Sequence, residues 1–132
     1  RTAVRERLDG HGLARGEGCR VDGHVRGPAL LGDRCVVEEG AVVGPGSALG
    51  DDVVVERGAT VERSVVLDGA RVGAAAVVRD AILAPGAQVG PESSVTGGAV
   101  LGPDVRIGAG NVLDRGVRLF PGVSLPDGAV AF

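Results

Sequence analysis

The sequence is poor in the residues that usually fill a globular core. Its 132 residues include two Phe and no Trp, Tyr or Met, although 44% of them are hydrophobic. A core made only of Val, Leu, Ile and Ala lacks the large aromatic area that most cores bury. This composition indicates a narrow interior filled by stacked side chains of similar size.

Lysine is absent as well, and all 14 basic residues are Arg, spread from Arg1 to Arg118 without a cluster. The net charge is −3, and the sequence has no basic stripe beside aromatic residues, so a nucleic-acid-binding protein is not favoured. No apolar run reaches the length of a membrane span, and no signal peptide is visible. We therefore expect a cytoplasmic protein without nucleic-acid or membrane partners.

Cysteine is scarce, since Cys19 and Cys35 are the only two. Two cysteines are too few for a disulfide framework. Both fall on positions of the repeat described next, so we expect free thiols that act as small core side chains. The chain begins with Arg1 rather than Met, which suggests a domain cut from a longer protein.

What the sequence does contain is a repeat. From about residue 19 to residue 129 an aliphatic side chain returns at nearly every sixth position, and a small residue follows four positions later. Turn formers such as Pro45-Gly46 and Pro85-Gly86 separate the aliphatic positions. Two blocks, Leu67–Arg71 and Val78–Ile82, have five residues instead of six. Each block predicts one short strand and one turn, and stacked coils would bury a continuous core.

If three blocks form one coil, residues about 18 apart stack in three ladders. The predicted ladders are Cys19, Val37, Val55, Val72, Val89, Ile107 and Leu125; Val25, Val43, Val61, Val78, Val95 and Leu113; and Leu31, Leu49, Leu67, Leu83, Leu101 and Leu119. The small-residue register is predicted to include Ala59, Val65 and Ala76, with Asn111 as its one amide.

The pattern resembles the left-handed parallel β-helix of hexapeptide-repeat proteins. That resemblance implies an all-β fold of about six triangular coils over residues 19–132. Residues 1–18 lie outside the strong repeat, and we interpret them as a linker or the tail of a preceding domain.

Two features point to a narrower family. The segment 61–90, with its two short blocks, is similar to the C-terminal β-helix of sugar-1-phosphate nucleotidyltransferases. The ending, with Phe120-Pro121-Gly122, Pro126-Asp127-Gly128 and a final Phe132, resembles bacterial mannose-1-phosphate guanylyltransferases. The resemblance implies an oligomerisation or regulatory module that follows a catalytic domain. That domain would join a nucleoside triphosphate to a sugar 1-phosphate with Mg²⁺ and release pyrophosphate.

The family's catalytic Gly-rich loop and Lys have no counterpart here, so no catalytic residue is carried over. The chain is therefore expected to be non-catalytic by itself, with no cofactor-binding or metal site of its own. Two alternatives stay open: a stand-alone acyltransferase with His11 or His24 as its base, and a non-catalytic paralogue that regulates a nucleotidyltransferase. A zinc triad is not expected from two His residues.

Self-association is the last expectation. The ends of a β-helix leave strand edges and apolar rungs that need cover. Phe120 follows a ladder residue, so its side chain should point outward near the last coil. Together with Pro121 and Phe132 it predicts an interface of a homo-oligomer, with Phe132 folded back over the coil end as the alternative.

Overall fold

The computed structural model describes residues 12–131, and this part of the chain forms twenty short strands and no helix. Each strand from β1 to β17 pairs in parallel with the strand three places later, so the strands make three sheets. The first sheet contains β1 Leu13–Arg15, β4 Ala29–Leu31, β7 Ser47–Leu49, β10 Val65–Val66, β13 Ile82–Leu83, β16 Val100–Leu101 and β19 Arg118–Leu119. The second sheet contains β2 Arg20–Val21, β5 Val36–Val37, β8 Val54–Val55, β11 Arg71–Val72, β14 Gln88–Val89, β17 Arg106–Ile107 and β20 Ser124–Leu125. The third sheet contains β3 His24–Val25, β6 Val42–Val43, β9 Thr60–Glu62, β12 Val77–Arg79, β15 Ser94–Val95 and β18 Val112–Leu113.

The fold is a left-handed parallel β-helix of about six turns, as the sequence predicts. Except after β2 and β3, each strand is followed by a tight corner whose backbone enters the left-handed region. Gly46 and Gly86 hold φ near +80° and +76° there, which glycine adopts without steric cost. This chemistry explains why turn formers recur with the period of the repeat.

The interior is filled by the predicted aliphatic ladders. Val43, Val61 and Val78 stack on successive coils of the third sheet and are fully buried. Small residues lie four positions after an inward aliphatic residue, as Ala41 follows Val37 and Ala59 follows Val55. They fill the corners of the triangle and are equally buried. The ladders of the second and third sheets are confirmed from Val37 and Val25 onward.

The first sheet requires one correction. Val66, not Leu67, stacks between Leu49 and Leu83, and Leu67 is 36% exposed at the start of the turn. The first five-residue block is therefore Val61–Val65, while the second, Val78–Ile82, is confirmed. Adjacent aliphatic residues fit a six-residue step equally well, so hydrophobicity alone did not distinguish them.

The small-residue register shifts with the ladder. Ser64 is buried, whereas Val65, which was predicted to be internal, points outward. Ser64 bridges the shortened corner, because its Oγ donates to the Glu62 carbonyl at 2.8 Å and accepts from the Ala81 N–H at 3.2 Å. A polar residue thus replaces the hydrogen bonds that the shorter turn loses.

The first coil differs from the predicted register as well. Val21, not Cys19, stacks on Val37, since the inward positions Val21 and Val25 are only four positions apart. Cys19 belongs to the small-residue register instead. Regular pairing also begins earlier than the predicted start at residue 19, because Leu13 pairs with Ala29 in the first sheet.

Candidate functional site

His24, the proposed base of the acyltransferase alternative, lies on the outside of the prism. It is the outward residue of β3, and its side chain is exposed. Its backbone pairs with Val42, whose aliphatic side chain cannot orient an imidazole as a carboxylate would. His11 lies outside the described residues.

The two thiols stack on consecutive coils. Cys19 donates to the Gly32 carbonyl at 3.1 Å, and Cys35 donates to the Gly50 carbonyl at 3.0 Å. Both cysteines are free, as predicted, with Cys35 buried and Cys19 half-buried. Burial raises the pKa of the Cys35 thiol to about 12. A protonated thiol is a poor nucleophile, so the Cys35 side chain supports structure rather than chemistry.

A polar pair closes the carboxyl end of the core. Asn111 is fully buried, and its Nδ2 donates to the carbonyls of Gly108 and Pro126 at 3.1 and 3.0 Å. Its Oδ1 accepts the Val130 N–H at 2.8 Å, and Ser93 Oγ accepts the Asn111 N–H at 3.0 Å. The one amide of the register therefore fixes the last segment to the coil before it.

Carboxylates line part of the corner that follows the first sheet, which we call the first corner. Asp33, Asp51 and Asp68 occupy equivalent places on successive coils. The Asp33 N–H donates to Asp51 Oδ1 at 2.8 Å, and the Asp51 N–H donates to Asp68 Oδ1 at 2.8 Å. This carboxylate ladder was not foreseen, because its hydrogen bonds join residues 17 and 18 positions apart.

Two bidentate ion pairs join neighbouring coils at their corners. Arg34 Nε lies 2.8 Å from Asp52 Oδ1, and Arg63 Nε lies 2.8 Å from Asp80 Oδ1. The arginine hydrogen bonds and charges lower the pKa values of both aspartates. More than half of each side chain is in solvent, so neither pair contributes much stability.

Residues 12–131 contain no group of three or more His, Cys, Asp or Glu arranged to hold a metal ion. The acidic corners therefore do not fit the Mg²⁺ expected for a nucleotidyltransferase, and no described residue is assigned to it. The same range has no helix long and apolar enough to cross a bilayer.

The face of the first sheet is the surface that sequence reasoning missed. Its outward residues are aliphatic on five consecutive coils: Leu30, Ala48, Val65, Ile82 and Val100. Each directly precedes an inward aliphatic residue, so doublets such as Leu30-Leu31 and Ile82-Leu83 were the available signal. A shallow groove of about 360 Å³ lies beside Val65 and Ile82.

Of the predicted interface residues, Phe120 and Pro121 are exposed, and Phe120 points outward with 76% of its surface accessible. Phe120 follows β19 at the first corner, next to the first-sheet face. Phe132 lies outside the described residues. Exposed apolar area on the sheet and its corner is thus the main chemical feature of this surface.

The fold and its surfaces define a hexapeptide-repeat β-helix domain. A family model described as the GMPPB C-terminal domain matches residues 25–127. The chain belongs to this family. A comparison with curated protein sequences gave no match.

Solved structures with the same fold include acetyltransferases. The acetyltransferase domain of PglB from Neisseria gonorrhoeae FA1090 superposes with a TM-score of 0.70 at 24% identity, covering 86% of this chain and 54% of that one. An acetyltransferase candidate from Bacillus cereus has a TM-score of 0.52 at 12% identity, covering 80% of this chain and 71% of that one. The chain thus spans about half the length of the Neisseria domain. At these identities the likeness establishes the fold alone.

Proposed function

We propose that this chain is the C-terminal module of a mannose-1-phosphate guanylyltransferase that makes GDP-mannose in the cytoplasm. The match of residues 25–127 to the GMPPB C-terminal domain carries the proposal. The Phe120-Pro121-Gly122 and Pro126-Asp127-Gly128 segments at the end of the chain support the finer assignment to this enzyme.

In this proposal the chemistry belongs to a preceding nucleotidyltransferase domain. There, an oxygen of mannose 1-phosphate attacks the α-phosphorus of GTP, and the bond to the leaving pyrophosphate breaks. Mg²⁺ bound in that domain would offset the charge of the phosphates. The β-helix supplies no reacting group; its role is to hold copies of the enzyme together through its apolar surface, with Phe120 and Pro121 at one end.

The test begins with the gene. The complete open reading frame that contains this chain is expressed, and pyrophosphate release from GTP and mannose 1-phosphate is measured with Mg²⁺. Activity in the complete protein and none in the 132-residue chain is the expected result. A gene without an upstream nucleotidyltransferase domain would refute the proposal. An upstream domain whose Gly-rich loop and catalytic Lys are degraded would favour the regulatory paralogue instead.

A second candidate is an acyltransferase, because the solved structures of the same fold are acetyltransferases. The described corners argue against it, since they are tight turns without an inserted loop that would close over coenzyme A. Acetyl-coenzyme A consumption is measured with a panel of amino sugars and nucleotide-linked amino sugars. The idea fails if wild-type protein shows no turnover. If it turns over, an unchanged rate in His24→Ala excludes His24 as the base and leaves His11.

A further inference from the structure

The three faces of the prism differ in what they present to solvent. Arg20, Arg71 and Arg106 point outward from the second sheet. The third sheet interleaves His24, Thr60 and Ser94 with valines. Only the first sheet carries an unbroken aliphatic row over five coils, and Leu30 and Ile82 within it are 53% and 44% exposed. Such a contiguous row is typical of a surface that is covered by a partner.

The apolar area continues around the first corner. Leu67 and Phe120 occupy the same position there, directly after the inward residues Val66 and Leu119. Their exposed side chains extend the row sideways at its centre and at its carboxyl end. The surface therefore includes the aromatic residue around which an interface was predicted.

We propose that a second copy of this chain covers the first-sheet face, related by a two-fold axis that runs parallel to the strands between β10 and β13. This inference deepens the proposed oligomerisation role by naming its surface and partner. The axis lies at the centre of the six strands β4 to β19. It places β10 against the partner's β13, β7 against the partner's β16, and β4 against the partner's β19.

Side-chain size supports this symmetry. Val65 would meet the partner's Ile82 at the axis, and the small Ala48 would meet the partner's Val100. At the corner, Phe120 would lie over the partner's Gly32, and Leu67 over the partner's Ala84. A large residue opposes a small one at both corner positions, as a self-complementary two-fold interface requires.

Charge supports it as well. Arg63 and Asp80 border the groove beside Val65 and Ile82, and they occupy equivalent corners before β10 and β13. The two-fold axis would bring each of them opposite the residue of opposite sign in the partner. If the groove were bordered by charges of one sign, the two copies would repel each other. Because Arg63 and Asp80 have opposite signs, the two copies attract each other in this arrangement. At the far end, the aliphatic stem of Arg118 would cover the partner's Leu30.

The size of the face sets the expected strength. Five strand spacings and three residues of strand give a face about 24 Å long and about 10 Å wide. This flat area, on the order of 240 Å², is well below the roughly 800 Å² that each partner buries in a standard interface. We therefore expect a reversible dimer that forms only at high protein concentration.

Sedimentation equilibrium of the 132-residue chain over a wide concentration range tests the proposal. The expected wild-type result is a monomer–dimer equilibrium. Val65→Arg should raise the dimer dissociation constant at least about tenfold, because it places a charge against the partner's Ile82. Val112→Arg is the matched control, since Val112 on the third sheet is 37% exposed and Val65 is 38% exposed. Arg71 and Arg106 already point outward from strands of the second sheet, so the β-helix tolerates an outward arginine and both variants should fold. Circular dichroism spectra check the folding of each variant.

The geometry is tested by cross-linking. Val65→Cys and Ile82→Cys variants are mixed and oxidised, and the linked peptides are identified by mass. Links between position 65 and the partner's position 82 support the proposed axis. Links mainly between identical positions of the two copies would mean that the two β-helices lie with their long axes parallel, and would overturn it. A strict monomer, a trimer, or a dimer weakened by Val112→Arg but not by Val65→Arg would also overturn the proposal. Because no nucleotidyltransferase activity is measured, this outcome is independent of the proposed enzyme.

Discussion

The first corner of the prism has two halves that solve the same turn differently. In the amino-terminal coils Asp33, Asp51 and Asp68 follow the turn-opening residue, and Asp51 and Asp68 accept the N–H of the equivalent residue one coil earlier. In the later coils Pro85, Pro103 and Pro121 take that place. Proline has no N–H to satisfy and no carboxylate to offer. One half is thus joined by side chains between coils, and the other is stiffened within each coil.

The difference explains where glycine is required. Gly32 and Gly50 open the corners that lie beside Asp51 and Asp68, and a Cβ on either glycine would meet the carboxylate of the next coil. Beside Pro85 and Pro103, the equivalent corners open with Leu67 and Ala84. Gly102 lies beside Pro121, where a Cβ would come within 2.9 Å of the backbone of the next coil. The residue that a coil tolerates at this position is therefore decided largely by the coil that follows it.

The largest expected effect comes from Gly50→Ala. The new Cβ would collide with Asp68 Oδ1 and lie 2.8 Å from the Asp68 backbone nitrogen. Since neither neighbour can move far, we expect a loss of about 3 kcal/mol in the free energy of unfolding, measured by denaturant titration. The double variant that combines Gly50→Ala with Asp68→Ala lacks the Asp68 carboxylate that the new Cβ would meet. Part of the lost unfolding free energy should therefore be recovered. Strictly additive losses would show that the two coils are not coupled through this contact.

The next effect tests the junction of the two halves. Val66 is fully buried, so Val66→Ala should lower the free energy of unfolding by about 2 kcal/mol through the cavity it leaves. The matched change Leu67→Ala, at a side chain in the turn, should cost at most about 0.5 kcal/mol. A larger loss of unfolding free energy for Leu67→Ala than for Val66→Ala in the same titration would mean that Leu67 lies in the core ladder. That result would refute the revised register.

This junction also shows how far the sequence could be read. The six-residue period predicted most of the inward residues, because period and burial are both encoded within each block. The three sheets and the left hand came from the resemblance to hexapeptide-repeat proteins. It misplaced Leu67 and Cys19, because adjacent residues such as Val66 and Leu67 satisfy the local pattern equally well. The carboxylate ladder and the apolar face could not be predicted, since they depend on residues from different coils that become neighbours only after folding.

A smaller effect concerns how the stability of the amino-terminal half depends on pH. Cys35 lines the inside of the first corner there, whereas Val105 and Val123 occupy the equivalent position in the later half. The folded-state pKa of Cys35 is about 12, above its ordinary value of 9.0. The native thiol therefore keeps its proton longer than the unfolded one. Its contribution to stability is complete below about pH 9 and declines from there towards pH 12. Cys35→Val should remove this part of the alkaline decrease in Tm, and an unchanged alkaline slope would contradict the assignment.

The smallest effect is expected at Arg34 in the amino-terminal half, where its side chain pairs with Asp52. In the later half, Gly86 and Gly122 occupy the equivalent position of the corner. Arg34 holds φ at +57°, and Gly adopts that conformation more easily. Arg34→Gly gains this relief and loses an exposed ion pair, so the free energy of unfolding should change little. The pKa of Asp52 should rise towards its ordinary value, which carboxyl NMR titration can follow. A pKa that stays low would mean that Arg34 is not its cause.

The sequence by itself determined the coil: its period, its aliphatic interior, its glycine and proline corners, and the narrow core that needs no aromatic side chain. These features lie within blocks of five or six residues, where local spacing decides which side chains turn inward. The tertiary structure decided the coil-to-coil matches: the position of the first short block, the pairing of Gly50 with Asp68, and the joining of Leu30, Val65 and Ile82 into one face. The physical reason is distance along the chain, because hydrogen-bonded neighbours on adjacent coils are 13 to 19 residues apart.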